Sequence, residues 1–130
     1  TLELASEIDR RAEAAAIRQD VLLEINIAGE PTKTGFPMEQ LEERLMYFSG
    51  MTHLRVRGLM TIPPPVDDPE QARGHFRILR ELAGRLSGQD VPGVAMGELS
   101  MGMSSDYVVA VEEGATFVRV GTAIFGRRDA

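Results

Sequence analysis

Two stretches near the end of the chain decide the fold. The first is Glu98-Leu99-Ser100-Met101-Gly102-Met103-Ser104-Ser105-Asp106. The second is Phe117-Val118-Arg119-Val120-Gly121-Thr122-Ala123-Ile124-Phe125-Gly126. In each, a short run of strand-forming residues ends in a glycine turn that leads toward a helix. Glu98 to Met101 is predicted as a strand. Ser104 or Ser105 is then placed to cap a helix that closes at Gly114. Phe117 to Val120 is predicted as the next strand, and Gly121 to Gly126 as a final turn or short helix. Strands alternating with helices are expected to lie parallel, joined by right-handed crossovers.

The same grammar continues toward the start. Val21-Leu22-Leu23-Glu24-Ile25-Asn26-Ile27 and Arg55 to Ile62 are two more predicted strands. After the first comes a loop, Ala28 to Gly35, carrying Gly29, Pro31 and Gly35. Pro37 suits the first turn of a helix whose face is Met38, Leu41, Leu45 and Phe48, stopped at Gly50. Three prolines end the second strand, and a helix over Pro69 to Leu86 carries Ala72, Phe76, Leu79, Ala83 and Leu86 on one stripe. A helix over residues 2–18 opens the chain, with Leu4, Ile8, Ala12, Ala15 and Ala16 at helical spacing. The predicted order is α, then βα three times, then β and a terminal turn.

Alternation along the strands sets the architecture. It groups Glu24 with Asn26, Arg55 with Arg57, Glu98 with Ser100, and Phe117 with Arg119 and Gly121. A parallel sheet covered on both faces should instead read as near-continuous apolar runs. One polar face of mixed charge suits a barrel interior, where Glu24 and Glu98 are expected near Arg57 or Arg119, because a buried charge needs a partner. A (β/α)8 barrel takes about 250 residues, so the 130 residues are expected to form one partial domain, residues 1–130, about half of a barrel.

Composition narrows the partners. Fourteen basic residues face 20 acidic ones, a net charge of −6, which argues against binding a phosphate backbone. There are two Tyr and no Trp, so base-stacking platforms are poorly supplied. No apolar run is long enough to span a membrane, and no secretion signal is visible. With no cysteine there is neither a disulfide framework nor a thiolate metal site, and a cytoplasmic location is the expectation. Only one of the 14 basic residues, Lys33, is a lysine.

The two glycine-marked segments look built for an anion. Glycine admits a close backbone approach, turn amides offer donors, and the hydroxyls of Ser104 and Thr122 can add more. Loops after consecutive parallel strands are neighbours at one rim, where barrel phosphate sites form. The bland alternative is a pair of ordinary strand-to-helix loops with serine caps.

LSMGMSSDYVVAVEEGATFVRVGTAIFGRR, residues 99–128, closely resembles the C-terminal signature of the pyridoxal phosphate homeostasis protein family, the YggS-like proteins also called proline synthase co-transcribed homologues. LLEINIAGEPTKTG (residues 22–35) and Gly58-Leu59-Met60-Thr61 resemble that family in the expected order. The resemblance implies the last four strands of a TIM-type barrel similar to the alanine racemase N-terminal domain. It implies pyridoxal 5′-phosphate (PLP) as cofactor, no catalytic role, and a part in PLP and amino-acid homeostasis. The family motif falls on Ser100, Met101 and Ser104 beside the cofactor, on Arg119, and on Gly121 with Thr122 at the phosphate. The family holds PLP as a Schiff base on a lysine at the end of its first strand, a segment these residues do not match. Lys33 stands elsewhere, in GEPTKTGF, and reads as a solvated loop residue.

The remaining candidates have ordinary readings. His53 and His75 lack metal-ligand spacing, so no metal is expected. Met60, Met96, Met101 and Met103 are core fillers or pocket walls. Arg127 and Arg128 are expected in solvent, and Glu112 and Glu113 on a helix surface. Two other functions stay open: a fragment of an alanine-racemase-like enzyme, although Tyr47 and Tyr107 fall in helices and neither at a strand end where an acid/base group is needed, and a half-barrel binding other phosphate esters. Open strand edges at Val21–Ile27 and Phe117–Val120 predict either self-association or a retained N-terminal half.

Overall fold

The structure, a computed structural model, describes residues 1–127. Helix α1 (Leu2–Ala14) leads into β1 (Gln19–Asn26), a two-residue β2 (Phe36–Pro37) and α2 (Met38–Arg44), which tightens into a 3-10 turn over Leu45–Gly50. Then come β3 (Leu54–Met60), a 3-10 turn (Pro69–Ala72), α3 (Arg73–Ser87), β4 (Val94–Met103), α4 (Tyr107–Glu112), β5 (Phe117–Arg119) and α5 (Thr122–Phe125). Among the described residues the sheet has five strands in the order β2-β1-β3-β4-β5, every neighbouring pair parallel. The expected exposure of Arg128 lies outside the described residues.

The helix stripes make the core. α3 buries Phe76, Leu79, Leu82, Ala83 and Leu86, at the spacing of one helical face. They join Leu23 and Ile25 of β1, Leu54, Val56 and Leu59 of β3, and Leu99 and Met101 of β4 in one cluster. Each such large side chain contributes about 1.5–3 kcal/mol of burial. Phe36 and Phe48 meet edge to face with ring centroids 6.2 Å apart, which pins β2 and the 3-10 turn over β1.

Several boundaries differ from the expectation, each for a local reason. α1 ends at Ala14 rather than residue 18. Ala16 adopts φ 53°. The amides of Ala16 and Ile17 donate back to Glu13 and Ala12, a Schellman ending with alanine where glycine usually sits. Pro37 precedes α2 instead of starting it, because its backbone is extended beside Asn26 in β2. The sheet therefore has a strand the four-strand expectation lacked. β4 runs ten residues rather than four. Gly97 lies inside it, and Gly102 (φ 94°) bends its end where an added Cβ would sit 2.6 Å from the Cβ of Ala110 in α4. Gly102 thus serves helix packing. Gly58 serves the sheet, since a Cβ there would stand 1.8 Å from the carbonyl oxygen of Glu98.

The polar face is present, but its pairing is corrected. The parallel register sets Asp20 opposite Arg55, and the two form an ion pair at 2.6 Å. Arg57 reaches Asp20 at 4.0 Å. Glu24 instead accepts the hydroxyl of Thr34 at 2.9 Å. Another misjudged carboxylate is Glu113, expected at a helix surface. Its side chain is only 6% exposed, between Arg73, Arg77 and Arg80 at 3.0–3.2 Å. It sits at the end of α4 and ties that helix to α3.

Candidate functional site

Parallel strands deliver the chain that follows each of them to one rim. At that rim lie Ile62-Pro63-Pro64-Pro65 after β3, Gly102 to Asp106 at and beyond the end of β4, and Arg119, Gly121 and Thr122 at and beyond the end of β5. Together with Lys33 and Arg127 these segments line a cleft of about 710 Å³. The two glycine-marked loops thus face one space, as their position after consecutive strands predicted.

Ser104 joins them. Its hydroxyl oxygen accepts the amide of Gly121 at 3.2 Å and that of Ala123 at 3.1 Å. This differs from the expected helix cap. Asp106 precedes α4, and its carboxylate accepts the amide of Met103 at 2.7 Å across the turn. Asp106 thereby closes the Met103–Asp106 turn, which leaves the Ser104 hydroxyl available to the neighbouring loop. Thr122 opens α5 and lines the same cleft, exposed.

Arg119 closes β5. Its Nη1 donates to the hydroxyl of Ser100, and its Nη2 donates to the carbonyl of Thr61 at 2.8 Å. Neither Glu24 nor Glu98 pairs with it among the described residues, so that expected ion pair is replaced by neutral acceptors. Burial pushes the guanidinium below its ordinary pKa, while Asp106 and Glu24 pull the other way. The cleft collects three cations, Lys33, Arg119 and Arg127, against one carboxylate, Asp106, in a chain of net charge −6. That local inversion of sign favours an anion.

The remaining expected residues fall elsewhere. Ser100 is buried beneath Arg119, and Met101, fully buried, belongs to the core behind β4; neither lines the cleft. Lys33 is exposed on the loop after β1, as expected, yet that loop brings it to the rim. The loop is tied by Asn26, whose amide donates to the carbonyl of Glu30 at 2.7 Å and whose oxygen accepts the Glu30 amide at 3.1 Å. Tyr47 and Tyr107 stand outside the cleft lining. No cluster of metal-ligating side chains occurs among the described residues, and no helix there is long and apolar enough to cross a membrane. Sequence reasoning missed the wall Ile62 to Pro65, although the triple proline after a strand was its signal. It also missed Thr61 and Asp106, whose roles depend on partners in other segments.

Residues 1–129 match the family described as alanine racemase, N-terminal domain. The pyridoxal phosphate homeostasis protein of Aquifex aeolicus is 51% identical over 125 residues, covering 96% of this chain and 54% of that protein. The protein of the same description from Escherichia coli is 37% identical over 128 residues, covering 98% and 53%. The chain thus spans about half the length of the curated relatives it matches. Among solved structures, PipY of Synechococcus elongatus with PLP bound superposes with a TM-score of 0.85 at 34% identity, over 97% of this chain and 57% of PipY. An alanine racemase of Clostridium difficile superposes at 0.71 with 17% identity, over 100% of this chain and 35% of that one, a likeness of fold alone.

Proposed function

The chain belongs to the alanine racemase N-terminal domain family, and from that premise we propose that it supplies the phosphate-binding end of a pyridoxal 5′-phosphate site and acts in PLP homeostasis without catalysing a reaction. The observation that carries this reading is Ser104, which lines the cleft with three cations and whose hydroxyl oxygen accepts the amides of Gly121 and Ala123. Amides converging on one acceptor are what a phosphate oxygen requires.

The roles divide by position. Ser104, Gly121 and Thr122 hold the phosphate. Arg119 presents its guanidinium to the rest of the ligand. Ile62 to Pro65 and Met103 form an apolar wall that excludes water from one side of it. Ser100 and Met101, buried behind this surface, support it from below. The bound cofactor would supply a reactive aldehyde on an electron-withdrawing ring. Racemisation needs acid/base groups on both faces of the reacting carbon. Neither tyrosine lines the cleft, which favours binding over that chemistry.

We read the parallel sheet as the last part of a (β/α)8 barrel, its polar face forming part of the barrel interior. The partner on that face is the N-terminal portion of such a barrel or a second copy of this chain. A cysteine-free chain suits a cytoplasmic place of action. The test is a backbone NMR titration with PLP and, separately, with inorganic phosphate. The amides of Ser104, Gly121, Thr122 and Ala123 are expected to shift with both. Shifts confined to other residues would overturn the reading.

A further inference from the structure

The strand ends behind the cleft are joined by one run of hydrogen bonds. Arg119 of β5 donates to the Ser100 hydroxyl of β4 and to the Thr61 carbonyl just past β3. The amide of Thr61 donates to the Ser100 carbonyl at 3.1 Å. The Thr61 hydroxyl then donates to the carbonyl of Ile25 in β1 at 2.8 Å. Thr61 is 0% exposed and Ser100 6%. Neither lines the cleft, whereas Arg119 does.

A long side chain at a cleft wall has many rotamers, and ordering it costs conformational entropy. Two fixed acceptors, one in β4 and one just past β3, pay that cost in the folded chain. Both acceptors are neutral. A carboxylate in their place would hold the guanidinium equally well but cancel its charge. Among the described residues, two of the five guanidinium N–H groups have acceptors in the protein, and both acceptors are neutral.

We infer that Ser100 and Thr61 are positioning residues for Arg119. Ser100 orients the guanidinium directly. Thr61 does so through its own carbonyl, which its buried hydroxyl locks against β1. The ligand class this favours is a phosphate monoester with a second hydrogen-bond acceptor, the phosphate held by the loops and the other acceptor by Arg119. The inference rests on the phosphate reading above and deepens it.

The test uses Ser100→Ala and Thr61→Val, with Thr61→Ser as the conservative variant, in the whole chain. PLP and inorganic phosphate are titrated separately by calorimetry. Ser100→Ala and Thr61→Val are expected to weaken PLP about tenfold each, the effect of one misdirected charged hydrogen bond, and to leave inorganic phosphate unchanged. Thr61→Ser is expected to restore PLP affinity. In an Arg119→Lys background, adding Ser100→Ala should cause no further loss. Equal loss of both probes, full retention of PLP affinity, or additive losses in that background would overturn the inference. A readout free of ligand separates the two proposals. Phenylglyoxal modification of Arg119, mapped by peptide mass, should accelerate in both variants. Native protein that takes up neither probe refutes the proposed function. The positioning role then stands or falls on the modification rate alone.

Discussion

The hydroxyl oxygen of Ser104 lies 3.2 Å from the amide nitrogen of Gly121, seventeen positions further along the chain. The amide of Ala123 converges on the same atom at 3.1 Å. The amide before α5 and one in its first turn therefore already share the hydroxyl oxygen of Ser104, which lines a cleft that carries three cations.

Thr122 stands between those two amides. Thr122→Glu would place a carboxylate where an anion is to sit, at a separation over which like charges repel strongly in a partly desolvated site. Calorimetric titration with inorganic phosphate and with PLP is expected to show no uptake by this variant. Binding comparable to the native chain would move the anion site elsewhere.

Gly102 ends β4 with φ 94°, and a Cβ there meets Ala110 at 2.6 Å and Tyr107 Cα at 3.0 Å. Gly102→Ala combines an unfavourable backbone region with overpacking against α4. The expected loss is about 2–5 kcal/mol, read by urea denaturation. The reason is local, so a loss below about 0.5 kcal/mol would mean that α4 can slide away freely.

Ala16 occupies the left-handed position that ends α1. Glycine adopts that conformation without a Cβ penalty. Ala16→Gly is expected to stabilise the fold by about 1 kcal/mol, visible as a higher urea midpoint with an unchanged slope.

Glu113 carries the pH dependence. Hydrogen bonds, from Arg77 first and then Arg73, hold its carboxyl below the ordinary glutamate value of 4.5. A folded pKa below the unfolded one gives stability that is present above the ordinary value and fades as pH falls through the lowered one. Glu113→Gln should therefore melt below the native chain at about pH 7, and the gap should shrink in scans at about pH 3. A gap that stays constant would show that the carboxylate's charge is not what ties α4 to α3.

Periodicity and turn chemistry alone determined much of this protein. Phe76, Leu79, Ala83 and Leu86 announce the buried face of α3. The apolar runs around Leu23, Leu59 and Leu99 announce three of the strands. The glycines after β4 and β5 mark the loops that meet at the rim. These signals are legible because they depend on residues within a turn or two of one another. Turn chemistry had already marked Ser104, Gly121 and Thr122, and strand alternation Arg119; resemblance to a known family tied them, with Ser100 and Met101, to one cofactor.

The tertiary structure decided who meets whom. Asp20, rather than Glu24 or Glu98, pairs with the arginines of β3, because register sets the neighbours across a parallel sheet. No side chain caps α4 where a serine was expected to; Asp106 closes the turn before it, and the Ser104 hydroxyl accepts Gly121 instead. Arg119 found a hydroxyl and a carbonyl in place of a carboxylate. β2 exists because Phe36 and Pro37 lie along the end of β1, and two residues carry no period of their own. A sequence records which groups are able to bond. Which of them do is fixed by strand order and register, which bring positions as far apart as Thr61 and Arg119 within 2.8 Å.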